Sequence, residues 1–169
     1  MNPIDLKRLE ADRKKGTAIE IDFCKLMQSF NCFTYRFQKG YDKVAVLEKD
    51  SEYIILPDIW VIPPDDEDFF CEVKSKYPSR HGAYGLEEYR VSSLLKIVTI
   101  TKKKVLYVIY DTTDKTWYWQ NLSTLENMAY RRFWSQTYVD GSVKRLPVHY
   151  YQKKWFNPIK GNGKLIIPK

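Results

Sequence analysis

Hydrophobic positions along the chain change period several times, and each change marks an element. Ile19, Phe23, Leu26, Met27 and Phe30 recur at helical spacing and predict a helix from about residue 2 to about Phe30, with Gly16 as a candidate break. Asn2-Pro3 is a fair start for it, an N-cap side chain followed by the residue best suited to the first helical position. Glu20 lies at the border of the buried stripe, so its carboxylate can face inward. Cys32–Phe37 reads as a short strand and Gln38–Asp42 as a turn. Tyr53–Ile62 is a nearly continuous apolar run, the pattern of one strand buried on both faces. Pro63–Asp68 turns the chain into a further strand, Phe69–Lys74, and Lys76–Gly85 reads as a loop. A second helix is predicted over about Leu86–Thr101, with Leu86, Arg90, Leu94 and Ile97 in register. Val105–Tyr110 has the look of a buried central strand, and Trp117–Trp119 of another. Ser123–Glu126 offers a capping box for a short helix, and Asp140-Gly141 a tight hairpin turn.

Polar residues interrupt this pattern where they are costly. Asp58 stands inside the Tyr53–Ile62 run, where a carboxylate loses hydration unless a cation or hydrogen-bond donors compensate it. Glu72 and Lys74 repeat the anomaly in the next strand. Because strand side chains alternate, those two share one face while Cys71 and Val73 take the other. Two acids and a lysine meeting at a sheet suit a hard divalent cation with a basic side chain beside it.

Pro57-Asp58, followed after thirteen residues by Glu72-Val73-Lys74, resembles the motif of the PD-(D/E)XK nucleases. Gly16-Thr17-Ala18-Ile19-Glu20 is similar to the Gly-x-x-x-Glu opening of the first helix in the branch of that superfamily containing Holliday-junction resolvases. The resemblance spans roughly residues 14–111. It implies an α/β, restriction-endonuclease-like core (αβββαβ), a mixed central sheet flanked by helices, with a C-terminal β-hairpin-containing extension. It also implies a Mg2+-dependent endodeoxyribonuclease, with Mn2+ as a substitute, acting on DNA as a homodimer or larger homo-oligomer. Asp58, Glu72, Lys74 and Glu20 are then the catalytic candidates, and Asp58, Glu72, the main-chain carbonyl of Val73, and Glu20 the metal ligands. Junction resolution and site-specific cutting, as by a restriction or homing endonuclease, both remain open. The alternative is a DNA-binding module with the same fold and no catalysis.

Composition sharpens this picture in two respects. The net charge is +7, but residues 1–100 hold 15 Lys/Arg against 17 Asp/Glu, and residues 101–169 hold 13 against 4. The basic second half suits a polyanion, and the acidic first half carries the candidate ligands. Lys76, Arg80, Lys102, Lys103, Arg131, Arg132, Lys144, Arg145, Lys153 and Lys154 are the candidate nucleic-acid contacts. Aromatic residues mingle with the later ones, as phosphate contact plus base packing requires. The same mixing also fits aromatics packed into the core or against a partner. Cys24, Cys32 and Cys71 read as reduced core cysteines, and no Cys/His cluster suggests zinc. The four acids Asp65–Asp68 lack calcium-loop spacing and read as a solvated tip. With no signal region or apolar span, a cytoplasmic protein is expected: a single nuclease domain over residues 1–169, its core about 14–120 and its extension about 121–169.

Overall fold

The computed structural model describes residues 3–37, 44–47, 52–137 and 143–159. Helix α1 (Pro3–Gln28) runs without a break at Gly16. It ends where Asn31 adopts a left-handed conformation (φ 60°), with Cys32 N donating to Met27 O and Asn31 N to Gln28 O, the paired bonds of a Schellman stop. Strand β1 (Phe33–Arg36) follows.

The expected single strand over Tyr53–Ile62 is two strands. The first, β3 (Glu52–Ile55), pairs with β2 (Val44–Leu47) in a separate two-stranded sheet, while β4 (Ile59–Ile62) enters the main sheet. Pro57 lies at the break: lacking an N–H, it cannot continue a central ladder. Next come β5 (Phe69–Lys76) and then β6 (Ala83–Glu87), a strand where the sequence suggested the end of a loop. Helix α2 (Glu88–Thr101), β7 (Val105–Asp111), β8 (Thr116–Asn121) and α3 (Leu122–Glu126) complete the middle of the chain. The cap of α3 is Asn121, whose side chain accepts from Ser123 N at 2.9 Å, and not Ser123 as the capping-box pattern implied. Strands β9 (Tyr130–Thr137) and β10 (Val143–Gln152) pair antiparallel as expected; the Asp140-Gly141 turn and the Gln38–Asp42 turn lie outside the described residues. A short 3-10 turn, Lys153–Trp155, leads to β11 (Asn157–Pro158).

The main sheet has the order β1-β4-β5-β7-β8-β11, with β5 and β7 parallel and the other pairs antiparallel. Taken along the chain, its elements up to β7 are α1, β1, β4, β5, α2 and β7, which is the αβββαβ core. Alternation along β7 divides the interior. Leu106 and Val108 join Cys71, Val73, Phe23 and Met27 under α1, whereas Val105, Tyr107 and Ile109 join Leu94 and Ile97 under α2. In register, Glu72 lies beside Tyr107 and Lys74 beside Ile109. Both polar side chains of β5 are therefore delivered to the α2 side. A second sheet, β6-β10-β9, packs there and buries Tyr84, Leu86 and Tyr151 in the same cluster.

Candidate active site

The site forms where β4 stops. Asp58 N still donates to Cys71 O at 2.9 Å, and Phe37 N donates to Asp58 O at 3.0 Å, so the backbone at 58 is held from both sides. Beyond it no strand among the described residues pairs with β5 on that side, and without a side-chain acceptor Val73 N would lack a ladder bond. The Asp58 carboxylate takes the missing place: Oδ2 accepts from Val73 N at 2.8 Å. A residue's N–H and C=O share one side of a strand, so the Val73 carbonyl faces the same gap.

Lys74 Nζ bridges the two acids, 2.6 Å from Glu72 Oε1 and 3.1 Å from Asp58 Oδ2. Asp58 and Glu72 are buried to 1% and 0% exposure, while the lysine reaches partly into solvent. Arg90, from the first turns of α2, grips Glu72 through Nε (2.8 Å to Oε1) and Nη2 (to Oε2); Nη2 also donates to Leu56 O at 2.7 Å and stands 3.7 Å from Asp58 Oδ1. Two buried carboxylates thus face two buried or half-buried cations. Burial works against the charge on Lys74 and on Arg90, but Glu72 and Asp58 outweigh it and hold both pKa values above their ordinary range.

These groups line a cleft of about 320 Å³ together with Ile55, Glu87 and Tyr89. Glu20 is buried to 1% exposure, but its Oε2 takes Arg36 Nη1 at 3.1 Å and it does not line this cleft. Among the described residues no group of three or more His, Cys, Asp or Glu side chains is gathered as a cage for a metal. The acids of the cleft nevertheless fit Mg2+, which takes one or two carboxylates and completes its shell with water and substrate phosphate. Arg90 and Glu87 are the cleft residues that sequence reasoning passed over as chemistry. Arg90 carried a signal: an arginine inside an apolar helical stripe needs a buried anion.

The candidate nucleic-acid contacts divide. Arg80, Lys102, Arg131, Arg132, Arg145 and Lys154 are exposed. Lys76 Nζ donates to Gly85 O, and burial lowers its pKa. Lys103 is tied to Asp68, and Lys153 to Asp111 and Asp114, so both work as struts of the fold. Lys144 lies on β10 opposite Gln136. Asp68, at the end of the acidic tip, also accepts from Trp60 Nε1 at 2.7 Å. The three cysteines are free, and burial raises the pKa of each. No helix among the described residues is long and apolar enough to cross a membrane.

No family model matches the chain, and no curated protein matches its sequence. Among solved structures, it is similar to Hjc, a Holliday junction resolvase from the archaeal hyperthermophile Archaeoglobus fulgidus, with a TM-score of 0.53 and 14% identity over 83% of this chain and 85% of that one. A nuclease from a fusselovirus matches with a TM-score of 0.42 and 12% identity over 94% and 89% of the two chains. The similarity to Hjc, together with the αβββαβ order and the mixed sheet, shows that this chain has the resolvase-like, restriction-endonuclease-like fold of the PD-(D/E)XK nucleases.

Proposed function

We propose that this protein is a metal-dependent endodeoxyribonuclease, a single domain in which the second sheet and the basic C-terminal part serve the DNA. The observation that carries the reading is the meeting of Asp58, Glu72 and Lys74 in one cleft at the point where β4 leaves β5. Asp58, Glu72 and the Val73 carbonyl are the groups that would hold Mg2+ or Mn2+. When bound, such an ion would neutralise charge gathering on the phosphoryl oxygens and would lower the pKa of a water so that it gives up a proton and attacks as hydroxide. Lys74, the partly solvent-reaching member, orients the attacking water or meets the developing negative charge. Glu20 acts from one step away. It holds Arg36, the neighbour of Phe37, whose N–H fixes the Asp58 carbonyl.

Cutting both strands of a duplex calls for two such sites, so we take the active species to be a homodimer. The resemblance to a junction resolvase favours branched DNA over a sequence-specific duplex. A second reading has one observation behind it: Arg90 and Lys74 already balance both acids, as a non-catalytic DNA-binding module with this fold would require. Plasmid, single-stranded and four-way-junction DNA incubated with Mg2+ or with chelator separates the two. Cleavage that needs the cation and vanishes in Glu72→Ala, with DNA affinity retained, is the expected result. Salt-sensitive binding without cleavage of any of the three would establish the second reading instead.

A further inference from the structure

The catalytic cleft does not end at its own walls. Glu87 lines both that cleft and a second cavity of about 480 Å³. Ser79 and Tyr150 in turn line both the second cavity and a third of about 200 Å³. The three adjoin through these shared walls in a trough-like row, whose outer part lies over the sheet β6-β10-β9 on the face opposite Tyr84, Leu86 and Tyr151.

That face is built from alternate residues. Tyr130, Arg132 and Trp134 follow one another along β9, about 6.8 Å apart at ordinary strand rise. Tyr150, opposite Tyr130 on β10, stacks on it with ring centroids 5.6 Å apart and planes at 16°. The Arg132 guanidinium lies 5.5 Å from the Tyr130 ring centroid, and Trp134 is 50% exposed. Arg80 adds a second exposed guanidinium to the far end. Aromatic faces beside guanidinium groups match bases that are not already stacked in a helix, with phosphates between them. A paired duplex offers no free base faces to such a surface and would engage the charges alone.

We propose that this trough is a subsite for an unpaired DNA strand leaving the cleft, its bases stacking on Tyr150 and Trp134 and its phosphates meeting Arg132 and Arg80. The substrate class is then DNA with a single-stranded segment next to the cut. The proposal rests on the nuclease reading for what lies in the cleft, but its test does not use cleavage.

Fluorescence anisotropy in chelator, at fixed salt, compares a blunt duplex with the same duplex carrying an oligothymidine tail. The tail should raise affinity on the order of tenfold, since each stacked base is worth a substantial factor. The variant Trp134→Ala, changed at an exposed position that carries no charge, should lose most of that increment and keep its blunt-duplex affinity. Quenching of tryptophan fluorescence by the tail in the unmodified protein, absent in Trp134→Phe, reads the same contact without a truncation. A tail that adds no affinity overturns the proposal, as does a Trp134→Ala variant that retains the increment or loses blunt and tailed binding equally. Absence of cleavage would overturn the nuclease reading alone.

Discussion

Arg90→Ala tests whether the buried charges are balanced as described. In the intact protein the Glu72 carboxylate, with no exposure, receives two guanidinium donors and the Lys74 amine, while Asp58 receives Lys74 and the Val73 N–H. Removing Arg90 deprives both buried carboxylates of one of the cations beside them. Breaking a buried pair from one side costs about 3–5 kcal/mol. For a domain of this size each kcal/mol moves the melting midpoint by about 2–4 °C, so a fall of roughly 6–20 °C is expected. Scanning calorimetry in chelator measures it, and a midpoint within about 2 °C of the parent would refute the balance of charges. The same variant probes the cation. With the guanidinium gone, Mg2+ gains a site of net negative charge, and at a hundred times its dissociation constant binding stabilises by about 2.7 kcal/mol. Mg2+ should therefore raise the midpoint of Arg90→Ala more than that of the parent. Equal shifts would refute Asp58 and Glu72 as a cation site.

Asp58→Asn and Asp58→Ala should both fail to cleave, but Asn keeps an acceptor for Val73 N and should be about 1–3 kcal/mol more stable than Ala; equal stabilities in denaturant titrations would contradict this. Lys74→Ala should lower the cleavage rate by about 10²–10⁴, and Lys76→Ala, whose amine is spent on Gly85 O, much less; equal losses would mean the wrong lysine has been assigned. Asp111 is buried, which alone would raise its pKa, but Lys153, the Tyr84 hydroxyl and the Thr113 N–H outweigh burial and bring it to about 2. Its contribution of about 2 kcal/mol is therefore complete above the ordinary carboxylate pKa near 4 and lost as pH falls toward 2; Asp111→Asn should flatten that acid limb of the stability curve, and an unchanged limb would tell against it. A Cβ at Gly85 would meet Val148 Cγ1 at 2.9 Å, so Gly85→Ala should force β6 away from β10 and cost about 1–3 kcal/mol, read as a lower melting midpoint.

The αβββαβ order was implied by the family resemblance, and the apolar patterns of α1, β5, α2 and β7 agreed with it. What the sequence hid has physical reasons. The run Tyr53–Ile62 is apolar on both sides of Pro57, and hydropathy cannot show that β3 pairs with β2 while β4 pairs with β1 and β5. Strand β6 was missed because Gly82 and Gly85 resemble loop residues; at Gly85 the small side is required by the closeness of β10. The face shared by Glu72 and Lys74 followed from alternation alone. The role of Arg90 did not, since its partner is 18 residues away on another element. Lys103 and Lys153 counted as surface charge in the sequence, and only the tertiary structure supplies Asp68 and Asp111 to absorb them.

The position of Asp58 joins the structural and chemical arguments. A strand that stops beside a longer neighbour leaves backbone donors facing a gap, and a buried unpaired N–H costs about as much as a lost hydrogen bond. Here the gap is closed by a side chain one residue before β4, so the carboxylate that repairs the ladder at Val73 is also the one delivered next to Lys74. The break at Pro57, the cap on Val73 and the pairing of Asp58 with Lys74 are consequences of one event, the departure of the chain from the main sheet. An acid serving only that repair would need no lysine, because an asparagine or serine can accept the same N–H. The added expense of burying Asp58 and Glu72 as charges, each with a cation beside it, is accounted for by a ligand whose charge the pair must meet. Under the nuclease function proposed above, that ligand is a phosphodiester backbone with its counter-ion, and the proposed subsite over Tyr150 continues its path.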